Sequence, residues 1–470
     1  MKPEQGPQNL RFGGGVSETA LHPIVLIAIL IAGALICFGP RRKAVIPFLL
    51  ASLLIPTDQI LLIGSLHFPM LRVLVLFGFI RMLRDRAKLR LFSNGINKID
   101  IMVILLTLFI AIDGILLFQE SGAIVNQIGN LISVFGVFFL LRFLIRDEED
   151  VIRTIQTLAV IAAMVAVIMT YELSTGRNPY ALLGGAHAAS FASLVARGDR
   201  FRAQGPFEHS ILAGTFGAVL VPLFVALWWK GKKYRKTAIL GVLSATVIAL
   251  ACNSSTPILA YGAGVLALCL WPIRNRMRVV RWGIVTTLVT LHIVMKHPVW
   301  HLITRIDISG GSSSWHRFML IDQCIRHFGD WWLVGVKDTS VWGWDMWDTA
   351  NQYVGLCDNS GILPFLLFVT LLVFGFKYLG RARKAAAKDK NKALFIWAIG
   401  AALFANVVAF IGISYFDQTM VAWYALLAMI PAATAASRKR VLNPVPVEVP
   451  SENPILLKRF HGPSIVADSL

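Results

Sequence analysis

Blocks of roughly 15 to 22 mostly apolar residues recur along almost the whole of this 470-residue chain, and a helix of that length crosses about 30 Å of hydrocarbon. Composition agrees with that reading. The chain is 56% hydrophobic and 15% charged, against ~25% charged in ordinary soluble proteins, and its mean hydropathy is +0.67. The blocks predict an all-α, polytopic integral membrane protein with spans at about 22–39, 44–56, 61–80, 99–117, 127–144, 152–170, 210–229, 237–252, 256–272, 280–296, 360–378, 393–413 and 419–436. That makes about 13 transmembrane helices, with a range of 11–14 because Pro47 and Pro56 crowd the short second span.

A net charge of +19 raises the question of nucleic acid, and the distribution of charge answers it. Thirty of the 45 Lys and Arg fall in seven short stretches, 41–43, 81–90, 142–153, 230–236, 274–281, 377–392 and 438–440. The intervening turns at 56–60, 118–128, 253–256 and 413–419 carry none. That alternation follows the positive-inside rule, so a bilayer and not nucleic acid is the expected partner. It predicts a bacterial inner (cytoplasmic) membrane protein with a cytoplasmic carboxyl-terminus.

The expected organisation is a single transmembrane domain over 1–440 and an extended or disordered cytoplasmic tail over 441–470, where four prolines fall in VLNPVPVEVPSENP. No cleaved signal peptide is read at the amino end. Of five cysteines, Cys37, Cys252 and Cys269 lie in apolar stretches. Cys324 and Cys357 fall in the longest exterior loop, where two thiols without a framework give only a weak reason to expect a bridge. No P-loop, dinucleotide fingerprint, zinc spacing or serine elbow occurs, and neither cofactor nor metal is expected.

Two long exterior loops, 171–209 and 297–359, stand out because the other helices are joined economically. The first ends in FRAQGPFEHS, where Arg197, Arg200 and Arg202 concentrate guanidinium groups on the side that basic residues avoid. A guanidinium fork and a helix amino end both suit phosphate oxygens. Gly205 and Pro206 make the turn, and Ser210 is the expected cap of the following helix. Arg202 paired with Glu208 or a loop carboxylate, simply to lock the turn, is the structural alternative. Glu208 or His209 beside a sugar hydroxyl would serve as a general base; a capping or packing role is the alternative for His209.

The second loop carries seven tryptophans and seven aspartates. Its SGGSSSWHRFMLIDQCIRHFGDWWLVG stretch predicts an amphipathic surface helix over about 316–328, with Arg317 roughly opposite the apolar face. The following WGWDMWDTANQYVGLCDNSG offers Trp344, Asp345, Asp348, Asn351 and Tyr353 for sugar hydroxyls and an apolar sugar face. An interfacial aromatic belt is the plainer explanation of the tryptophans.

In these two segments the chain resembles the O-antigen ligase and polymerase superfamily of bacterial envelope enzymes, nearer an exopolysaccharide-oriented branch. The resemblance covers about 130–360 and rests on Arg202-Ala203-Gln204-Gly205 opening the helix after the first loop. It also rests on Asn351-Gln352-Tyr353 with Gly361 after the second, and on RFLIRDEEDVIR leading to Glu172 and Thr175-Gly176. It implies a glycosyltransferase that uses a polyprenyl-diphosphate-linked glycan as donor and a glycan or lipid as acceptor, with polysaccharide assembly proteins as possible partners. Arg202, with Arg200 and Arg317, would hold the diphosphate. Where the family carries a histidine, this chain has Ala350, so either Glu208, His209, His316 or a nearby aspartate takes the base role or the chain is a divergent branch with another arrangement. A transporter of lipid-linked oligosaccharide, suggested by Asp113 in an apolar span, and a non-catalytic assembly protein are the competing expectations.

Overall fold

The computed structural model describes residues 19–64, 66–85, 92, 95–185, 195–197, 200–305 and 313–435. The predicted tail over 441–470 and the side chains of Arg197 and Arg200 lie outside the described residues. In chain order the helices are α1 (Pro23–Phe38), α2 (Val45–Leu54), α3 (Met70–Asp85), α4 (Lys98–Phe118), α5 (Ser121–Leu144) and α6 (Glu148–Thr175). They continue as α7 (Ser210–Lys230), α8 (Arg235–Ala251), α9 (Ser255–Cys269), α10 (Met277–Val294), α11 (Ser313–Arg326) and α12 (Phe328–Trp331). The last are α13 (Gln352–Ser360), α14 (Ile362–Ala385), α15 (Lys390–Ala409) and α16 (Asp417–Ala433). Two small antiparallel hairpins interrupt them, β1 (Ile60–Ile63) with β2 (Leu66–Pro69), and β3 (Val195–Arg197) with β4 (Arg200–Arg202).

Among the described residues, eight helices, α4 to α8, α10, α14 and α15, are long and apolar enough to cross a bilayer. The fold is therefore all-α and polytopic. The other five predicted spans coincide with shorter helices, of 16 residues in α1, 10 in α2, 16 in α3, 15 in α9 and 17 in α16. One difference is local. The predicted span at 61–80 starts as a hairpin, and its helix begins only at Met70, because Gly64 takes a left-handed φ of +63° and the residues on either side pair as strands.

Helix α7 lies at the centre, with 89% of its apolar window buried, whereas α10 has none of its window covered and presents its apolar side chains outward. Lipid is the solvent that makes such an exposed apolar helix stable. Small residues let α7 approach its neighbours closely. A methyl group added at Gly217 would sit 2.9 Å from the Ala245 carbonyl oxygen of α8.

The two ends of the bundle differ in charge. At the basic end the acidic first turn of α6 collects cations: Asp150 pairs with Arg41 and Arg153 at 3.0 Å each, and Glu148 pairs with Lys230 and Lys392. Beside it Arg142 of α5 grips Asp100 of α4 through two bonds of 2.8 and 3.1 Å, both side chains essentially inaccessible. Asp100 also closes a capping box with Asn97 at the start of α4. The basic-poor end holds the turns at 56–60, 253–256 and 410–418, both hairpins and the helices α11 to α13.

Candidate functional site

The FRAQGPFEHS segment leads from β4 into α7 over the basic-poor end. Its turn needs Gly205, whose φ is +60°. Glu172, near the end of α6 and buried, holds that turn from beneath. Its carboxylate accepts the Gln204 N–H at 3.1 and 3.2 Å and the Gly205 N–H at 2.8 Å. Asn178 bridges the two, its Nδ2 donating to Glu172 at 3.3 Å and to the Gly205 carbonyl at 2.9 Å. Successive amides around one carboxylate form an anion nest, here filled by the protein itself. Glu172→Ala strands two buried N–H groups at ~1–3 kcal/mol each, and a fall in apparent Tm of the detergent-solubilised protein is the expected outcome.

Arg202 is 6% exposed, and its Nε donates to the Cys252 carbonyl at 3.2 Å. The Ala203 N–H bonds the Ala251 carbonyl at 3.1 Å, and Asn253 Nδ2 donates to the Phe201 carbonyl at 2.7 Å. Strand β4 is thereby docked on the α8–α9 turn. Arg317, on α11, is buried as well and lies against Gly412, whose backbone oxygen accepts from Thr256 Oγ1 at 3.3 Å. Both arginines therefore approach the same Cys252–Thr256 turn, which opens α9. Ser254, its N-cap residue, makes no side-chain capping bond, and its buried Oγ has no hydrogen-bond partner among the described residues. The burial of Arg317 differs from the predicted solvent-facing position: α11 runs over 313–326 and packs Arg317 under itself, onto the 410–418 turn.

Glu208, one of the two partners that the alternative reading gives Arg202, is placed against a different residue. Its side chain hydrogen bonds Asp417, the first residue of α16, which also bonds Thr57 and feels the charge of Asp58. Burial first, then the Glu208 contact and the charges of Glu208 and Asp58, hold the Asp417 carboxyl well above the usual carboxylate range. His209, not Ser210, is the N-cap of α7, and its Nδ1 accepts the Ile211 N–H at 3.2 Å. One ring nitrogen of the predicted base is thus committed to the cap. Thr57, Asp58, Glu208 and Asp417 stand together on the wall of a cavity of about 530 Å³. Its remaining wall is mainly apolar, largely from α4, α5, α14 and α16, with Arg72, Thr107, Gln127, Asn130, Ser133 and Gln352 among its polar members. Arg72 bonds Ser133 Oγ at 3.1 Å and the His67 carbonyl at 3.0 Å. Neither Arg202 nor Arg317 lines this cavity; the 202–208 segment and the 410–418 turn join it to them.

The long loop divides its predicted residues between two places. His316 Nε2 contacts the Asp345 carbonyl at 2.8 Å, and partial desolvation, opposed by the neighbouring His316, raises the carboxyl of Asp348 although that residue is exposed. Asp345 has a left-handed φ of +61°, and beside it Trp344 is 91% and Trp347 70% exposed, an indole pair standing clear of the body. Asn351 and Tyr353 point the other way. Asn351 caps α13 through the Tyr353 and Val354 amides and donates to the Ile411 carbonyl at 3.0 Å, while the Tyr353 hydroxyl donates to the Val407 carbonyl at 3.0 Å. The residues predicted to contact a glycan are therefore not one surface: Trp344, Asp345 and Asp348 sit together, and Asn351 and Tyr353 brace the start of α13.

No family model matches the chain, and no curated protein matches it. The arrangement is therefore read from its own chemistry. Among the described residues no group of three or more His, Cys, Asp or Glu has metal-holding geometry.

Sequence reading missed Asp58, Asp417 and Arg72. A signal for the aspartates exists: each stands in a turn without basic residues and is followed by glutamine, as Asp58-Gln59 and Asp417-Gln418. Both glutamines tie backbone together, Gln59 Nε2 donating to the Gly184 carbonyl at 2.9 Å and Gln418 Nε2 to the Pro206 carbonyl at 2.7 Å. Arg72 lies inside a predicted apolar span and gives no comparable signal.

Proposed function

We propose that the chain is a membrane glycosyltransferase of the O-antigen ligase and polymerase type, joining polyprenyl-diphosphate-linked glycans in exopolysaccharide or O-antigen biosynthesis. In this reading thirteen spans cross a bacterial inner membrane, the basic end and carboxyl-terminus face the cytoplasm, and the basic-poor end faces outward. One observation carries it: two buried arginines converge on the opening turn of α9, at the same end as a half-buried carboxylate pair on the wall of a largely apolar cavity.

Each part has a physical role. Arg202 and Arg317 bring guanidinium forks, and α9 the positive end of its helix dipole, to a turn where the charge that develops on a leaving diphosphate is stabilised. Glu208, sharing a proton-bearing pair with Asp417, accepts the proton of the acceptor hydroxyl as its oxygen bonds the anomeric carbon and the bond to diphosphate breaks. Like-charged carboxyls in contact cannot both ionise easily, which keeps one proton at the site. The apolar cavity wall suits a prenyl chain, and the exposed indoles of Trp344 and Trp347 suit a sugar face.

Purified protein given a lipid-linked glycan is expected to lengthen it or move it to an acceptor, and a deletion strain is expected to accumulate the unlinked lipid-borne glycan. Unchanged lipid-linked glycans and unchanged surface polymer would refute the proposal. Single repeats accumulating would mark a polymerase, complete polymer a ligase. Movement of labelled lipid-linked sugar across liposomes without new glycosidic bonds would favour transport, the reading that buried Asp113, whose Oδ2 has no partner among the described residues, supports.

The carboxylate pair makes its own prediction. A carboxyl whose pKa folding raises contributes stability that is present below the ordinary carboxylate range, ~4, and lost as pH rises through the raised value. The wild-type Tm is thus expected to fall on alkalinisation, and Asp417→Asn, which carries no charge, to flatten that fall. A pH profile identical in the two proteins would exclude the effect. Glu208→Gln is expected to cut transfer ~10²–10⁴-fold if Glu208 is the base, with Tm little changed.

A further inference from the structure

Helices α11 and α13 enclose a small core of their own at the basic-poor end, apart from the main one: Leu320, Trp331, Trp342, Met346 and Val354 pack around Cys324 and Cys357. Both cysteines are buried, 5% and 6% exposed. Both are free thiols of that same buried core, and Cys324 has the Cys357 and Asp358 side chains beside it. Around them the loop is fastened to itself by Trp331 Nε1 donating to the Cys324 carbonyl at 2.6 Å, Val336 N–H to the Asp358 carbonyl at 2.7 Å and Ile362 N–H to the Trp332 carbonyl at 2.9 Å. The other three cysteines, Cys37, Cys252 and Cys269, lie on or beside apolar helices elsewhere in the bundle.

We propose that Cys324 and Cys357 are a disulfide-forming site, bridged in the mature protein, that closes the tryptophan-rich 324–357 segment of the outward loop into a covalent ring. The geometry supplies what bond formation needs: two free thiols packed in one small buried core and held on two different elements, where a bridge closes at ~2.05 Å between the sulfurs. The compartment supplies the rest, since an outward-facing loop meets an oxidising environment. The inference rests on the sidedness proposed above and not on glycan transfer.

The chemistry balances with an exchangeable disulfide as oxidant, carried by a dithiol oxidase or by an oxidised small thiol. A thiolate of the pair attacks the oxidant's disulfide, forming a mixed disulfide and releasing one thiol. The second thiolate then attacks the protein sulfur of that mixed disulfide and releases the other thiol. Two protein thiols thus become one disulfide as the oxidant's disulfide becomes two thiols, and the two protons leave with the reduced oxidant. Burial of both sulfurs protects the finished bond from reduction, and the ring holds Trp331 and Trp342 in their packed positions.

The test uses the full chain expressed in a bacterium that has its extracytoplasmic dithiol oxidase. Cells are quenched in acid, free thiols blocked with one maleimide under denaturing conditions, the sample reduced, and newly released thiols tagged with a second. Tagging of Cys324 and Cys357 alone, and a linked peptide pair in mass spectrometry, is the expected result. In Cys324→Ser, Cys357 is expected to shift entirely to the first label, and in a strain without the oxidase both wild-type thiols to shift toward it. Reducing agent is expected to lower the apparent Tm of wild type but not of the Cys324→Ser/Cys357→Ser protein. Finding both thiols wholly in the first label, or paired with other cysteines, overturns the proposal. Val341→Cys, placed in the double-serine background at a 75% exposed position of the same loop, separates the two ways of failing. If an impermeant maleimide labels it from outside, the dithiol inference alone falls; if it does not, the proposed sidedness falls with it.

Discussion

Replacing Arg202 with alanine is expected to lower glycan transfer by ~10²–10³-fold, the usual loss when one fixed donor to a developing anion is removed, while membrane-inserted protein persists. The residue is nearly inaccessible and is held in place by the Cys252 carbonyl, so its fork is oriented before any ligand arrives. Orientation in advance is what gives a charged donor its effect on a leaving group, because nothing has to be reorganised during bond cleavage. Arg202→Lys should recover part of the loss by restoring charge without the planar fork. The variant must be compared at equal folded protein, since β4 is docked through the same neighbourhood. Full activity of Arg202→Ala at unchanged protein levels would remove Arg202 from the reaction, and with it the main support for a diphosphate substrate.

The largest effect on stability is expected at the opposite end. Arg142→Met leaves Asp100 ionised and buried, and breaking such a pair costs ~3–5 kcal/mol. The pair is bidentate, at 2.8 and 3.1 Å, and neither side chain reaches solvent. Exchanging both partners, as Arg142→Met with Asp100→Leu, removes the uncompensated charge and should recover most of the loss. Recovery should stop short of wild type, because Asp100 also accepts the Asn97 N–H at 3.0 Å and its loss costs the α4 cap ~1 kcal/mol. The fraction of protein remaining monodisperse after heating in detergent reads the order: wild type, double replacement, Arg142→Met. A single replacement no worse than the double would show that the charge is already neutralised by another route.

How much of this was legible in the residues depends on the range of the interaction. The long apolar blocks follow from composition within one segment, and α4 to α8, α10, α14 and α15 stand where the hydropathy puts them. The hairpin ahead of α3 was not legible, because ILLIGSLHFP reads as a continuation of the apolar run until Gly64 takes its left-handed turn. In the site, Arg202, Gly205 and Glu208 were recognisable as charges and turn residues set against a helix start. Their partners were not, since the contact between Glu208 and Asp417 joins residues over two hundred positions apart and depends on where α16 comes to rest. Asn351 and Tyr353 show the opposite failing: residue types suited to sugars, they satisfy the amides and carbonyls of α13 and its neighbours instead.

The histidine caps carry a consequence beyond the first turn of α7. His22 opens α1 as His209 opens α7, each with Nδ1 taking up an amide proton two residues on, at 3.2 Å in both. Removing either ring would leave a first-turn amide without its acceptor, and at α7 that loss falls on the central helix against which its neighbours are packed.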